Sequence, residues 1–359
     1  MAKKLAVDKV LFTTIVLLLS FGLVMVYSAS AALAGGDGLN PFLVKQGVAA
    51  GFGLVLMISL MYLDYRHLRK PVVVYALLGG VLTLLVGVLF APELNATRRW
   101  FFVAGVSVQP SELAKLALIP FLAYLIEKRE EQVNSASYLL PAMLFTALLG
   151  GLILLQPDMG TAVLLGATAF LMTFLAGLST RYLACSLAVV PPLIAGLVWM
   201  EPYRRERLFT FLDPEKDPLG SGFQALQSLI AVGSGGVFGL GAGKSVQKLY
   251  FLPHPESDFI FSIVAEELGM AGSLLVVAAF GILAWRGILA GMKAPDVFGR
   301  YLGWGLTGVL VLQALINVSV TIALLPTKGI PLPFISYGGS SLVVTLCACG
   351  VLLNVSQHG

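Results

Sequence analysis

Charge is what this chain has least of. Only 12% of its 359 residues are charged, against roughly 25% in a soluble globular protein. With 58% hydrophobic residues and a mean hydropathy of +0.90, that scarcity excludes an ordinary soluble domain and leaves a polytopic membrane protein. Cysteine is rarer still. Cys185, Cys347 and Cys349 lie in apolar runs without ligand spacing. A disulfide framework or zinc site is therefore excluded, no metal-ligating set is expected, and the three read as small packing residues. Long polar segments are nearly absent too. Glu201–Ser257 is the only long stretch that is not mostly membrane-grade sequence.

A helix needs about 20 apolar residues to cross the hydrocarbon core. Ten runs qualify: 10–28, 42–63, 71–91, 110–126, 138–155, 159–177, 181–199, 259–285, 301–324 and 335–353. The shorter ones need tilt or local thinning of the bilayer. The first run is long enough to be a retained span rather than a signal peptide. Gln156-Pro157-Asp158 separates the fifth and sixth, because proline interrupts a helix. The expected fold is all-α: one membrane domain over 1–359 with about ten transmembrane helices and a large extracytoplasmic loop, about 200–258, between helices 7 and 8.

Ten spans put both termini on one side. Lys3, Lys4, Lys9, Arg66, Arg69, Lys70, Lys128, Arg129, Arg181, Arg286, Lys293 and Arg300 fall on that side. The short loops of the other side hold only Lys45, Arg98, Arg99 and Lys328. Lys and Arg accumulate on the cytoplasmic side. Both termini are thus expected in the cytoplasm and the 200–258 loop outside.

Ionisable groups at membrane depth are costly and mark functional sites by default. Asp258 ends the long polar segment and is followed at once by Phe259, Ile260 and Phe261. A carboxylate at that water–lipid boundary can exchange protons with water and reach a lipid-linked molecule, or it can merely cap a helix. Glu112 and Lys115, three apart, share a face of the fourth span, as a site or as a structural pair. Ser111 just before them is a candidate cap. Arg98 and Arg99 beside Trp100 suit a pyrophosphate, since the guanidinium is a planar fork of donors, or ordinary headgroup anchoring. Asp158 opens the sixth span, where a carboxylate favours the positive end of the helix dipole.

Glu266 and Glu267 lie at membrane depth if the eighth span begins at Phe259, and at the interface if it begins at Leu268. Pro331–Ser341, with Pro326, makes an irregular re-entrant segment. Non-helical backbone at that depth is tolerated only against protein or a wet cavity, so this segment lines something, and Ser336 and Tyr337 within it are candidate substrate contacts. The glycines between 220 and 243 point to close backbone approach, with a short surface helix over 223–232 among them. Gly239–Ser245 looks like a phosphate loop but has Phe238 where that pattern needs glycine.

These segments together resemble the SEDS family of bacterial cell-wall proteins (FtsW, RodA, SpoVE). The resemblance covers nearly the whole chain. It rests on Gly22–Ser30, Arg98-Arg99-Trp100, Gln109–Lys115, Gln156-Pro157-Asp158 with Gly160-Thr161, Asp217–Gly222, Gly233–Gly236, Asp258–Phe261 with Glu266–Gly269, and Pro331–Ser341. The FtsW branch is most similar, through Gly22–Ser30 and Gly243–Lys248, with the RodA branch the close alternative. His254-Pro255-Glu256-Ser257 departs from the family's usual order, Asn317–Ala323 lacks its usual glycines, and Lys328 replaces a common threonine.

The resemblance implies a peptidoglycan glycosyltransferase of the bacterial plasma membrane that polymerises lipid II at the outer face, for septal cell division. A RodA-type elongation polymerase and a lipid II flippase without glycosyl transfer are the alternatives. It implies partnership with a class B penicillin-binding protein, the transpeptidase, and with other divisome or elongasome membrane proteins, and no nucleic-acid partner. The family's essential acid falls on Asp258, and its Glu and Lys of the fourth span on Glu112 and Lys115. On this reading Asp258 is the base, and Arg98 and Arg99 hold the leaving pyrophosphate, with Mg or Mn as a possible divalent cation.

Overall fold

The computed structural model describes residues 7–31, 40–93, 97–103, 106–217, 220, 222–249, 251–327 and 329–359. Lys3, Lys4, Asn95, Pro218, Leu219, Ser221 and Lys328 lie outside the described residues. Each of the ten expected spans meets a helix. These are α1 (Lys9–Ser30), α2 (Pro41–Tyr62), α3 (Pro71–Val88), α4 (Pro110–Lys128), α5 (Ala136–Leu155), α6 (Met159–Leu175) and α7 (Thr180–Trp199), then, past α8 and α9 of the long loop, α10 (Ile260–Lys293), α11 (Val297–Thr321) and α12 (Gly339–Ser356). Among the described residues eight of these are long and apolar enough to cross a membrane. The other two are α6, which is a little short, and α4, whose Glu112, Lys115, Glu127 and Lys128 dilute its hydropathy. The protein is an all-α polytopic membrane protein.

The starts of the helices were written locally. Asp8, Asn40, Asp158 and Asp296 each accept a backbone N–H from the first turn of α1, α2, α6 and α11. Such caps satisfy donors that the helix itself cannot. Ser111 does not cap α4. It lies in the first turn and donates to Asp158 instead.

The middle of the bundle is α4, α11 and α12, with α2 laid along α12. Small residues let these backbones close up, as lipid-embedded helices require. A Cβ at Gly350 of α12 would stand 2.6 Å from the Met57 carbonyl of α2. Helix α7, by contrast, has no buried residue among the described residues of its apolar stretch and forms the rim.

The long loop is not unstructured. It carries α8 (Pro202–Leu212) and α9 (Phe223–Ser234), the latter where a short helix was expected. The 95–112 segment forms a small hairpin, β1 (Phe101–Val103) antiparallel to β2 (Val106–Val108), with Phe101 opposite Val108.

Helix α10 is two helices. Gly269 has φ 68° and ψ −163° inside it, a conformation open to glycine and few others. Into this break fits the glycine-rich loop that follows α9. Leu240 and Gly241 donate to the carbonyls of Glu266 and Glu267, and Met270 and Ala271 donate to those of Gly236 and Val237. The peptide groups freed by the break are thus paired by another strand of backbone. A Cβ at Gly239 would stand 2.1 Å from the Glu267 carbonyl, so only glycine fits there. The segment that looks like a phosphate loop is a backbone clasp.

The clasp also gives partners to Glu266 and Glu267, both buried beside the break. Glu266 accepts from Ser245 Oγ at 2.5 Å and from the Val246 N–H at 2.9 Å. Glu267 accepts from Lys248 Nζ at 2.7 Å, the Gly243 N–H at 2.9 Å and Ser28 Oγ of α1 at 2.7 Å. A buried carboxylate survives only with such partners.

Candidate active site

Asp258 sits immediately before the first half of α10. Its own backbone is pinned. The Asn317 side-chain amide of α11 donates to the Asp258 carbonyl at 3.0 Å and to the Ile330 carbonyl at 2.8 Å. The Ser336 hydroxyl donates to the Ser257 carbonyl at 2.6 Å and accepts from the Leu332 N–H at 2.8 Å. The Tyr337 N–H donates to the Glu256 carbonyl at 2.8 Å. The re-entrant segment therefore meets the chain at Asp258 through Ser336 and Tyr337.

That segment is held in turn by polar side chains from the bundle. Gln46 of α2 donates to the Ser336 carbonyl and accepts from the Gly338 N–H, both at 3.1 Å. Gln313 of α11 donates to the Pro331 carbonyl at 2.8 Å and accepts from Lys115 Nζ at 2.7 Å, and Lys115 lies 2.7 Å from Glu112. The Glu112–Lys115 pair, almost wholly buried, thus ends a polar chain that runs through Gln313 to the re-entrant backbone. Gln313 and Asn317, one helical turn apart on α11, anchor adjacent residues of it.

The Asp258 carboxylate faces Gly329, where a Cβ would stand 3.2 Å from Oδ2. Beyond Gly329 opens a cavity of about 410 Å³. Its walls are apolar, from Met159 of α6, Pro191, Ile194 and Val198 of α7 and Leu208 of α8, and Arg204 and Arg207 of α8 reach into it. Arg207 also donates to the Thr327 carbonyl at 2.9 Å. Burial pushes the Asp258 carboxyl up to about 6, opposed by the positive fields of His254 and Arg207 and reinforced by the negative fields of Glu256 and Asp158. His254 is itself raised, chiefly by Glu256, whose carboxylate lies 3.8 Å from its Nδ1. Glu256 Oε2 and Asn317 Oδ1, both buried, have no donor among the described residues.

The other expected residues lie around this centre with identifiable partners. Asp158 caps α6 through the Thr161 N–H at 3.0 Å and accepts from Gln109 at 3.3 Å and Ser111 at 3.4 Å. Arg99 donates to the carbonyls of Gln156 and Pro157, each at 2.7 Å, and so holds the turn that presents Asp158. Arg98 pairs with Glu93 at 2.9 Å and donates to the Leu89 carbonyl at 3.0 Å, at the surface. Trp100 is half-buried beside them. Among the described residues no three His, Cys, Asp or Glu side chains gather to hold a metal ion.

The family model for FtsW, RodA and SpoVE, described as "Cell cycle protein", matches residues 8–359. The chain belongs to the FtsW/RodA/SpoVE family. Curated relatives in this family include the "Probable peptidoglycan glycosyltransferase FtsW" of Geobacter metallireducens, 44% identical over 98% of this chain and 95% of its own. The "Stage V sporulation protein E" of Bacillus subtilis is 42% identical over 99% and 98%. Among solved structures of the family fold, one described as "Structural coordination of polymerization and crosslinking by a peptidoglycan synthase complex" superposes with a TM-score of 0.81 at 35% identity, covering 98% of each chain. The rod shape determining protein RodA of Thermus thermophilus gives 0.71 at 32% identity, covering 98% and 97%.

Sequence reasoning about this FtsW/RodA/SpoVE protein missed Asn317, Gln313, Gln46, Arg204 and Arg207. For the first three a signal existed, since an amide on a lipid-crossing helix needs a buried partner. The arginines gave none, because a charge in a long polar loop is unremarkable until the loop folds back.

Proposed function

We propose that Asp258 is the general base of glycan polymerisation in this peptidoglycan glycosyltransferase. Lipid II is the substrate. The GlcNAc 4-hydroxyl of one molecule attacks C1 of the MurNAc on the other. The O4–C1 bond forms, the bond from C1 to the diphosphate oxygen breaks, the hydroxyl proton passes to Asp258, and the polyprenyl diphosphate leaves with the bonding electrons. A base for this step must be ionised yet basic enough to take a proton near neutral pH. The carboxylate, raised to about 6 and set against Gly329, which lines the cavity, meets both needs, and this observation carries the reading.

The leaving diphosphate needs positive charge. Arg207 and Arg204 supply it from the wall of the cavity beyond Gly329, whose apolar lining suits the first isoprenes of the lipid. Arg98 and Arg99, whose forks engage Glu93 and main-chain carbonyls, do not line this cavity. Glu112, Lys115 and Ser336 act as positioning residues, with Tyr337 and Trp100 beside the substrate path. Magnesium is usually held by one or two carboxylates together with substrate phosphates, so a bound Mg or Mn would look to Asp258 or Glu256 for such a ligand. The proton transfer above uses the chain's own groups.

The charge bias of the short loops supports cytoplasmic termini and an Asp258 site on the outer face of the plasma membrane. The neighbour solved as a peptidoglycan synthase complex supports a class B penicillin-binding protein as partner. The FtsW names of the relatives support septal division. Purified protein with its transpeptidase and labelled lipid II tests the chemistry: Asp258→Asn should make no polymer while staying folded and in complex. Wild-type-like glycan from that variant would overturn the assignment, and lipid movement without polymer from wild type would favour a flippase.

A further inference from the structure

The half-helix that begins just after Asp258 is cut off from the rest of α10. At the Gly269 break, Met270 and Ala271 donate to the carbonyls of Gly236 and Val237 instead of to those of Glu266 and Glu267. The helix ladder therefore does not carry the position of the second half of α10 across the break. Other contacts must fix where Asp258 stands. Every residue from Ile260 to Glu267 is buried, and the end of α9 comes so close that a Cβ at Gly235 would collide with the Ala265 carbonyl. Asn317 and Ser336 pin the Asp258 end. The other end, roughly 12 Å away along the axis, is held by charge.

That charge lies in a cluster outside the Asp258 site. Lys248 Nζ is buried between the Glu267 carboxylate at 2.7 Å, the Gly243 carbonyl at 2.8 Å and Ser28 Oγ at 3.1 Å. Ser28 Oγ in turn donates to the Glu267 carboxylate at 2.7 Å. Ser28 belongs to α1, and so does Gly22, where a Cβ would collide with the Phe334 carbonyl of the re-entrant segment. One stretch of α1 thus backs both supports of Asp258, the half-helix through Ser28 and the re-entrant segment through Gly22. We propose that Ser28, Lys248 and Glu267 are positioning residues for glycosyl transfer, which set the axial offset of the half-helix that presents Asp258. A buried ion pair gains little stability over apolar packing of the same shape, but it fixes register. This role rests on the reading of Asp258 as the general base.

The test uses the full-length protein with its transpeptidase and labelled lipid II. Ser28→Ala removes the bridging hydroxyl and leaves the ion pair. Lys248→Met with Glu267→Gln removes the pair without stranding a charge. Per folded molecule, kcat should fall about tenfold in the first and about a hundredfold in the second, because a shift of about 1 Å in a reacting group costs that much. KM should hardly change. Hydrogen exchange should quicken in peptides spanning Asp258 to Gly269 and stay as in wild type in α4 and α11. Wild-type kcat in either folded variant would overturn the positioning role, and so would a loss confined to KM or one without faster local exchange. Asp258→Asn, measured alongside, separates the two claims. Polymer from that variant would overturn the base reading and this role with it. No polymer from it, beside full turnover in the cluster variants, would overturn the positioning role alone.

Discussion

Replacing Asp258 by Asn should abolish polymerisation and, at the same time, make the protein more stable. The carboxyl is raised from 3.8 to about 6 by burial, which corresponds to about 3 kcal/mol held against ionisation in the folded state. The sign follows from the direction of that shift. The folded state binds its proton more tightly than the unfolded chain, so the penalty is full above pH 6 and fades as pH falls through 6 toward 3.8. Asparagine keeps the shape and carries no charge. The variant should therefore unfold later than wild type at pH 8, by several degrees, and the gap should narrow sharply at pH 5. Unfolding in detergent micelles at the two pH values, followed by intrinsic fluorescence at matched scan rates, reads this directly. A variant less stable than wild type at pH 8, or a gap independent of pH, would refute the desolvated-base reasoning. Stored instability of this kind is common where function needs a strained charge.

The same electrostatics predict the activity profile. The acid limb of kcat/KM should lie near pH 6, and His254→Gln should move it upward, because it removes a positive field that favours the ionised carboxylate; a limb that does not move would show that Asp258 is not the group titrating. Lys248→Met should destabilise by about 3–5 kcal/mol, since it leaves Glu267 buried without its ion partner, and Lys248→Met with Glu267→Gln should cost less than the single changes added together in the same unfolding assay. Gly239→Ala should give misfolded protein, visible as aggregation on size-exclusion chromatography, because its φ is +78° and its Cβ would collide with the Glu267 carbonyl. Asn317→Leu should reduce kcat more than it raises KM in a lipid II polymerisation assay, as it frees the Asp258 and Ile330 carbonyls while leaving the cavity walls unchanged.

Much of the architecture was legible without coordinates because the membrane imposes one rule. A chain crossing hydrocarbon must pair its own backbone, so length and hydropathy alone located a helix at each of the ten expected runs, eight of which, among the described residues, are long and apolar enough to cross a membrane. Breaks followed from local chemistry, as at Gln156-Pro157-Asp158, and so did the carboxylate of Asp158 at the start of α6. The hairpin over 101–108 was not legible, since two three-residue strands have no periodicity to detect. Nor was the break at Gly269, which lies inside a single expected span and exists only because the loop after α9 supplies the missing hydrogen bonds.

The candidate site divides along the same line. Asp258, Glu112, Lys115 and Asp158 stood out because charge is rare in this chain and its cost at membrane depth is high. What the sequence determined by itself was therefore the class of molecule, the positions of the long helices and the residues that carry unusual energy. Only the tertiary structure decided what those residues do to each other. It spent Arg99 on a turn, joined Glu112 and Lys115 through Gln313 to the re-entrant segment, turned Glu266 and Glu267 into anchors for a glycine clasp, and brought Arg207 to the cavity beyond Gly329. The physical reason is range. Hydropathy and capping act between residues a few positions apart, whereas desolvation and ion pairing depend on distances that only the folded chain sets.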